Sequence, residues 1–226
     1  MTTDTIVIIP ARGGSKGILG KNIKLFNGKP LIQYSIEYAQ SVIPNDKIFV
    51  STDNVDIKNV VNEFGIKIID RPKEISGDCA TTESAISHVL DSIEEKPKNV
   101  ILLQATSPLR PKNSLMEIIE HFESNKFDSL LTLSSTHRFF WELDGENANP
   151  KYDFQHRPRR QDMKEDEIKY IENGSVYMFS YNHFIKKNNR LGGKIGYYIF
   201  PEECALEIDS ISDWIALEQI AKLNKY

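Results

Sequence analysis

Short apolar segments alternate with amphipathic segments of helical period from Thr5 to Ser135. Five apolar segments have the length of β-strands: Thr5–Ile9, Lys47–Thr52, Ile66–Asp70, Asn99–Gln104 and Asp128–Ser135. Between them apolar residues recur every three or four positions, as in the helix predicted over residues 82–95, and Asn113 is a candidate cap for the next helix. Strands separated by helices predict a mostly parallel sheet covered on both faces, with ligands beyond the carboxyl ends of the strands.

The alternation breaks over residues 137–172, which are rich in aromatic and charged side chains and have no clear period. We call these residues the excursion, because they interrupt a single domain that spans residues 1–226. Strand character resumes in Asn173–Ser180 and Lys194–Phe200. Ser210 and Asp213 then have the spacing of a capping box ahead of a last helix.

Charge and cysteine content limit the classes of partner. The chain has 28 Lys and Arg against 32 Asp and Glu, a net charge of -4, so general binding to nucleic acid or to an anionic membrane is not expected. Cys79 and Cys204 form neither a disulfide framework nor a zinc spacing. The apolar run at the N-terminus is too short for a signal peptide or a membrane span. We therefore expect a cytoplasmic protein without nucleic-acid or membrane partners.

The loop after the first strand reads PARGGSKGILGKN over residues 10–22 and is rich in glycine and cationic side chains. Its glycines let the backbone approach a ligand and present N–H groups to an anion, while Arg12 and Lys21 add positive charge. Backbone donors with cationic clamps suit a polyphosphate. The loop is not a Walker A motif, because Asn22 follows Lys21 where Ser or Thr is required. A structural turn with a solvated Arg12–Lys21 pair is the alternative interpretation.

This loop resembles the N-terminal signature of the acylneuraminate-type sugar cytidylyltransferases, the CMP-sialic acid synthetases. Further segments of the same resemblance follow in one order over nearly the whole chain: LIQYSIEYA, VSTD, RP followed by DCATT, LLQATSPLR, RPRRQD, ENGSVY, GGKIGYY and EIDSISDW. The resemblance implies a three-layer, Rossmann-like nucleotidyltransferase fold with a mostly parallel sheet and a dimerisation excursion. It also implies a nucleotidyltransferase in which the anomeric hydroxyl of a sugar acid attacks the α-phosphate of CTP and pyrophosphate leaves, with Mg²⁺ or Mn²⁺ as cofactor.

The resemblance implies nucleotide contacts in the first loop and in the DCATT segment. Arg12, Ser15 and Lys21 would hold the triphosphate, Gly13 belongs to the same set, and Arg12 and Lys21 would also be catalytic. The residues implied to bind cytidine are Asn22, Arg71, Ala80 and Thr82. For Ala80 and Thr82 a plain helix N-terminus is a second interpretation, and it is compatible with the first.

The residues implied to bind the sugar are Gln104, Ser107, Arg160, Gln161, Asn173 and Tyr177. A turn-stabilising amide is the alternative for Gln104. Arg110 is expected to face an acidic sugar or to form a salt bridge with the following helix. A solvated basic patch is the alternative for the arginines of RPRRQD. The excursion is implied to form a homodimer contact and part of the sugar pocket, and we assign Phe139, Phe140 and Trp141 to that interface.

Glu207 and Asp209 flank Ile208 in a segment expected to be extended, so the two carboxylates would share one face and Ile208 would turn to the core. Two such carboxylates repel unless a cation lies between them or one takes a proton, and a divalent metal satisfies both. The family pattern has Asp-x-Asp here, so Glu207 is a departure, and Asp209 is the main candidate metal ligand and, with Arg12 and Lys21, an expected catalytic residue. Two surface acids before a capped helix is the alternative.

The expected substrates are CTP and an acidic nine-carbon sugar, N-acetylneuraminate first. The same reaction on legionaminate, pseudaminate, ketodeoxynonulosonate or ketodeoxyoctonate is the nearest alternative, because a few pocket groups decide such specificity. Two other classes stay open: a CTP-binding protein that has lost catalysis, and a glycosyltransferase of similar α/β form. Of these three classes, only the cytidylyltransferase would release pyrophosphate from CTP.

Overall fold

A computed structural model describes residues 4–165 and 167–224. Eleven strands and six α-helices lie in this described part of the chain. The strands are β1 (Thr5–Pro10), β2 (Leu25–Phe26), β3 (Lys29–Pro30), β4 (Ile48–Thr52), β5 (Lys67–Asp70), β6 (Asn99–Leu103), β7 (Ser129–Thr136), β8 (Trp141–Asp144), β9 (Asn147–Pro150), β10 (Lys169–Ser180) and β11 (Ile195–Phe200). The helices are α1 (Leu31–Gln40), α2 (Val55–Asn62), α3 (Thr82–Ser92), α4 (Ser114–Asn125), α5 (Tyr181–Lys187) and α6 (Ile211–Asn224).

Seven strands form one sheet in the order β11-β7-β10-β6-β1-β4-β5. Strand β10 pairs antiparallel with β6 and β7, while the other pairings in this described sheet are parallel. Six strands therefore share one direction, and the expectation of a mostly parallel sheet is confirmed. The carboxyl ends of β1, β4 and β6 meet at one edge.

Helices cover both faces of this sheet. Because side chains alternate along a strand, Ile6 and Ile8 of β1 pack on one face, in the hydrophobic cluster that includes Ile86 of α3. Val7 and Ile9 pack on the other face, in the cluster to which α1, α2, α4 and α6 contribute. The arrangement is the expected three-layer α/β fold. The helix α5 was not predicted, and no described helix is long and apolar enough to cross a bilayer.

The two predicted helix caps have different outcomes. Ser210 and Asp213 form the expected capping box, in which the Asp213 amide donates to Ser210 Oγ at 3.3 Å and the Ser210 amide donates to Asp213 Oδ2 at 2.7 Å. Asn113 stands at the N-cap position of α4 as predicted, but its φ of 65° is left-handed and its side chain makes no capping hydrogen bond. The Ser114 hydroxyl instead donates to the Pro111 carbonyl oxygen at 2.7 Å.

The excursion holds the antiparallel hairpin of β8 and β9 and a 3-10 turn at Arg160–Asp162. Its last four residues already belong to β10, which begins at Lys169 and pairs with β7. The register between β10 and β7 shifts between Glu172 and Tyr177. The sequence indicated a later strand start because residues 169–172, Lys-Tyr-Ile-Glu, have no strand-like alternation of polar and apolar side chains.

Candidate active site

A cleft of about 360 Å³ opens beyond the carboxyl ends of β1 and β6. Its walls come from the glycine-rich loop after β1, the chain after β5, the start of α3 and the chain before α6. Nine residues with predicted site roles line it: Arg12, Ser15, Lys21, Asn22, Arg71, Ala80, Thr82, Gln104 and Asp209. The fold thus brings together side chains that are far apart in sequence, at the edge where ligands of parallel sheets bind.

Two cations of the first loop share one carboxylate at the cleft. Arg12 Nη1 lies 3.1 Å from Asp78 Oδ1 and donates to the Gly77 carbonyl oxygen at 2.8 Å, and Lys16 Nζ lies 2.7 Å from Asp78 Oδ2. The hydrogen bond from Lys16 and the nearby Arg12 charge hold the pKa of Asp78 below its ordinary value. Asp78 had no predicted role, because its place opposite the first loop depends on tertiary structure.

Gly13 and Gly17 place the first loop against its neighbours. The Gly13 amide donates to Asp53 Oδ1 at 2.9 Å, and Gly13, which was predicted to bind the nucleotide, is not among the residues that line the cleft. At Gly17 any Cβ atom would collide with the carbonyl oxygen of Asp209. The absence of a side chain at Gly17 therefore lets the loop pack directly on the segment before α6.

Lys21 joins the first loop to that same segment. Its Nζ atom donates to the Ile208 carbonyl oxygen at 2.6 Å and to Asp209 Oδ1 at 3.3 Å, and the side chain is only 12% exposed. Asp209, by contrast, keeps 77% of its side chain exposed. The pair places a fixed ammonium group and an accessible carboxylate side by side in the cleft.

Asn22 and Arg71 brace the base of the cleft. Asn22 Nδ2 donates to the Arg12 carbonyl oxygen at 3.0 Å. Arg71 donates from Nε to Ser51 Oγ at 3.0 Å and from a terminal nitrogen to the Ser51 carbonyl oxygen at 2.6 Å. Burial lowers the pKa of Arg71, and the charge of Asp53 partly opposes that shift. Both side chains are buried and carry polar groups at the cleft wall.

The start of α3 forms the wall opposite the first loop. Thr81 caps the helix, since its Oγ1 atom accepts the Ser84 amide at 3.1 Å. Ala80 and Thr82 stand on either side of this cap and line the cleft. The positive end of the α3 dipole thus faces the cleft, which favours an anion there. The helix-terminus and ligand-wall interpretations of Ala80 and Thr82 are both compatible with this geometry.

Glu207 and Asp209 lie on either side of Ile208, which is fully buried as expected. Thr106 Oγ1 donates to Glu207 Oε2 at 3.4 Å. Burial raises the pKa of Glu207, and the charge of Asp209 raises it further. A divalent cation would relieve this repulsion. Among the described residues no group of three or more His, Cys, Asp or Glu is placed to hold a metal, so a cation here would need phosphate and water ligands as well.

Asn173 and Ser107, predicted to bind the sugar, are buried under the cleft. Asn173 Oδ1 accepts the Thr132 hydroxyl at 2.6 Å, and its Nδ2 donates to Ser134 Oγ at 3.2 Å. Ser107 Oγ donates to the Asn173 carbonyl oxygen at 3.4 Å. These bonds fix the irregular part of β10, and direct contact with a sugar would require β10 to move.

The remaining predicted sugar residues are split between the core and the excursion. Tyr177 is buried, its hydroxyl donates to Glu172, and the Arg190 guanidinium lies 4.5 Å from the centre of its ring. Arg160 and Gln161 are exposed on the excursion, where Arg160 forms an ion pair with Glu202 at 2.7 Å. Of the six predicted sugar residues, Gln104 is the one that lines the described cleft.

Arg110 takes neither of its two expected roles. It is buried and donates to the carbonyl oxygens of Gln104 at 2.7 Å and Ser175 at 3.2 Å, and to Ser35 Oγ at 3.0 Å. Burial lowers its pKa to about 10. Its guanidinium also lies 5.2 Å from the centre of the Tyr38 ring. Arg110 therefore holds the ends of β6 and the irregular part of β10 from below.

Known proteins that resemble this chain in sequence are described as cytidylyltransferases. A family profile described as Cytidylyltransferase matches residues 6–226. N-acylneuraminate cytidylyltransferase A of Danio rerio is 36% identical over 94% of this chain and 49% of that protein. The N-acylneuraminate cytidylyltransferase of Streptococcus agalactiae serotype V is 30% identical over 93% of this chain and 51% of its own length, so the chain spans about half of these relatives. The pseudaminic acid cytidylyltransferase of Campylobacter jejuni is 30% identical over 97% of both chains.

Two solved structures share the fold along their whole length. The CMP:2-keto-3-deoxy-manno-octonic acid synthetase complexed with CTP has a TM-score of 0.70 at 15% identity and covers 98% of this chain. The 4-diphosphocytidyl-2C-methyl-D-erythritol synthase of Anaerococcus prevotii has a TM-score of 0.66 at 14% identity and covers 96%. These structures confirm the Rossmann-like fold. Because the profile spans nearly the whole sequence and one relative matches from end to end, the chain belongs to the cytidylyltransferase family of nucleotidyltransferases.

Proposed function

We propose that the chain transfers the cytidylyl group of CTP to a nonulosonic acid, with N-acetylneuraminate as the first candidate. The anomeric hydroxyl of the sugar loses its proton to solvent, its oxygen bonds to the α-phosphorus, the bond from that phosphorus to the β-bridging oxygen breaks, and CMP-sugar and pyrophosphate form. The observation that carries the proposal is the single cleft, in which nine residues with predicted site roles meet. The sialic-acid and pseudaminic-acid cytidylyltransferases among the relatives favour a nine-carbon acid.

The triphosphate would lie along the first loop. Arg12, Lys16 and Lys21 bring three cationic groups to this loop, and Ser15 lines the cleft between them. A pentacoordinate α-phosphorus gathers negative charge, and preorganised cations stabilise such charge in a transition state. Arg12 and Lys16 would exchange Asp78 for phosphate, so the loop needs no rebuilding to bind the nucleotide.

The cytidine would lie between the base of the cleft and the start of α3. Asn22 and Arg71 supply polar groups on one side, while Ala80 and Thr82 supply a close wall on the other. Asn22 and Arg71 are held by hydrogen bonds to backbone oxygens, which keeps their polar groups in place before the ligand arrives. A pocket of this kind suits a pyrimidine, which is small and has donors and acceptors on one edge.

Asp209 and Glu207 would hold Mg²⁺ or Mn²⁺. Mg²⁺ commonly binds through one or two carboxylates together with substrate phosphates and water, which agrees with two acids beside a phosphate loop. Asp209 is the main ligand because its carboxylate is exposed, and Glu207 would act directly or through water. When bound, the ion would neutralise phosphate charge and polarise a phosphoryl oxygen.

The sugar would bind beside Gln104, with Arg160 and Gln161 of the excursion available for its carboxylate. We further propose a homodimer formed through the excursion. Phe140 and Trp141 each expose nearly half of their side chains, and Leu143 is 81% exposed. Phe139 instead packs on Tyr152 at a ring distance of 4.3 Å, so its place in the predicted interface is the weakest of the three aromatics.

The test is pyrophosphate release from CTP with Mg²⁺ and a panel of acids: N-acetylneuraminate, legionaminate, pseudaminate, ketodeoxynonulosonate and ketodeoxyoctonate. We expect turnover with one acid, which would establish the reaction and name the substrate together. CTP binding measured by calorimetry, with no turnover on the panel, would favour a binding protein that has lost catalysis. Use of a finished nucleotide-sugar without pyrophosphate release would favour a glycosyltransferase.

A further inference from the structure

Arg190 connects α3, whose start forms one wall of the cleft, to β10, through side chains that the proposed reaction does not use. Its Nη1 atom forms an ion pair with Glu83 Oε1 at 2.5 Å, and both side chains are about four-fifths covered. Its guanidinium lies 4.5 Å from the centre of the Tyr177 ring. Glu83 is in the first turn of α3, next to Thr82 at the nucleotide side, while Tyr177 is on β10.

The loop that carries Arg190 is itself attached to α3 and to β7, the neighbour of β10 in the sheet. Asn188 Oδ1 accepts a hydrogen bond from Ser87 of α3 at 3.3 Å. Gly192 bonds through its amide and its carbonyl oxygen to Ser129 Oγ of β7, at 2.9 Å and 2.8 Å. The loop is therefore a strap between α3 and the sheet, held on both sides of Arg190 by bonds other than those of the Arg190 side chain.

Tyr177 contacts both Arg190 and the carboxylate of Glu172. The Tyr177 hydroxyl donates to Glu172 Oε1, at the point where β10 becomes irregular. Glu172 is close enough to Glu207 for its charge to act on that side chain. A series of contacts thus runs from Glu83 through Arg190 and Tyr177 to Glu172.

We propose that Arg190 is a positioning residue that keeps the first turn of α3 in register with Tyr177 and Glu172 on β10. It would thereby couple the nucleotide side of the cleft to the sugar side. This inference rests on the proposed function, because the two sides are defined by its substrates. A planar guanidinium suits this position, since it can hold a carboxylate with its edge and cover an aromatic ring with its face.

The chemistry of its two partners, Glu83 and Tyr177, explains why Arg190 would act on geometry and not only on stability. Burial by itself would lower the pKa of Arg190, but the charge of Glu83 and the contact with Tyr177 keep it above its ordinary value. The guanidinium therefore stays charged in a mostly covered place. Without it Glu83 would lose its cation and turn to solvent, and Tyr177 would lose the group that holds its ring.

The experiment is a double-mutant cycle of Glu83→Gln and Tyr177→Phe, measured in the wild-type and in the Arg190→Met background. The readouts are KM for CTP, KM for the sugar acid, kcat, and the Kd of CTP by calorimetry. With Arg190 present we expect the two changes to be non-additive by about 5-fold or more in either KM or Kd, the lower end of typical coupling between sites. With Arg190→Met we expect additivity, and with Arg190→Lys an intermediate result.

The matched control is Lys47→Met, because Lys47 forms a partly covered ion pair with Glu95 ahead of β4, away from the cleft. We expect both Met variants to lower Tm, but Arg190→Met alone to change KM and Kd. Equal additivity in both backgrounds, or a lower Tm with unchanged KM and Kd, would overturn the proposal. If the wild type binds CTP without turnover, the proposed function fails while the Kd cycle still decides the role of Arg190.

Discussion

The Nζ atom of Lys21 lies 3.3 Å from Oδ1 of Asp209, although 188 positions separate the two residues in the chain. This contact closes the cleft between the first loop and the segment before α6. It also pairs Lys21, which is proposed to bind phosphate, with Asp209, which is proposed to bind the metal. When CTP and a cation bind, Lys21 would contact phosphate and Asp209 would contact the metal. The ion pair therefore positions both charged groups at the cleft before the ligands arrive.

Lys21→Ala should lower kcat by about 10²–10³-fold, the usual cost of losing one preorganised donor to a transition-state oxyanion. The reason is that the Ile208 carbonyl oxygen holds the Lys21 ammonium in place at the cleft. Another cation could not easily take its position. Steady-state pyrophosphate release measures the effect. Lys29→Ala, which removes an exposed lysine paired with Glu37, serves as the control and should retain wild-type rates. A loss confined to KM for the sugar would show that Lys21 does not act on phosphate.

Asp209→Ala should abolish metal-dependent turnover and leave the fold intact, because 77% of the side chain is exposed and contributes little to packing. Chelation of the metal in the wild type should give the same loss, reversed by added Mg²⁺. The measurements are turnover against Mg²⁺ concentration and thermal unfolding. Asp46→Ala changes an acid ahead of β4, away from the cleft, and is the control. Wild-type turnover in Asp209→Ala would remove this residue from the metal site.

Local sequence patterns were sufficient to predict the features that depend only on neighbouring residues. The capping box of Ser210 and Asp213 and the buried Ile208 between two acids follow from spacing alone, and the structure has both. The cleft was placed correctly because the carboxyl ends of parallel strands share one edge. Family motifs then indicated which residues of those loops to consider.

Features that depend on contacts between residues far apart in the chain could not be predicted from local sequence patterns. Asp78 forms an ion pair with Arg12, 66 positions away in the chain, and no local sequence pattern predicts that pair. Arg110 was expected to find a carboxylate, yet its partners are carbonyl oxygens exposed by the irregular part of β10. Asn173 shows the same limit: its motif matches a family position, but the side-chain bonds that hold it under the cleft come from β7.

Arg110→Leu should lower the free energy of unfolding by about 2–4 kcal/mol, because two buried carbonyl oxygens would lose a donor. Urea unfolding measures the change. Arg157→Leu is the control, since its guanidinium also lies over an aromatic ring, Phe139 at 4.4 Å, but on an exposed surface. We expect that variant to lose no more than about 1 kcal/mol. Equal losses in the two variants would contradict the role of Arg110 as a buried clamp.

Leu143→Asp should convert the proposed dimer into a monomer. Leu143 is 81% exposed at the hairpin of β8 and β9, beside the half-exposed Trp141, and a charge there would have to be buried on association. Sedimentation at micromolar concentration is the measurement, with the wild type expected as a dimer. Leu223→Asp is a control of equal exposure, because Leu223 is also 81% exposed but lies on α6. A monomeric wild type, or the same shift in both variants, would show that the excursion does not form the contact between subunits.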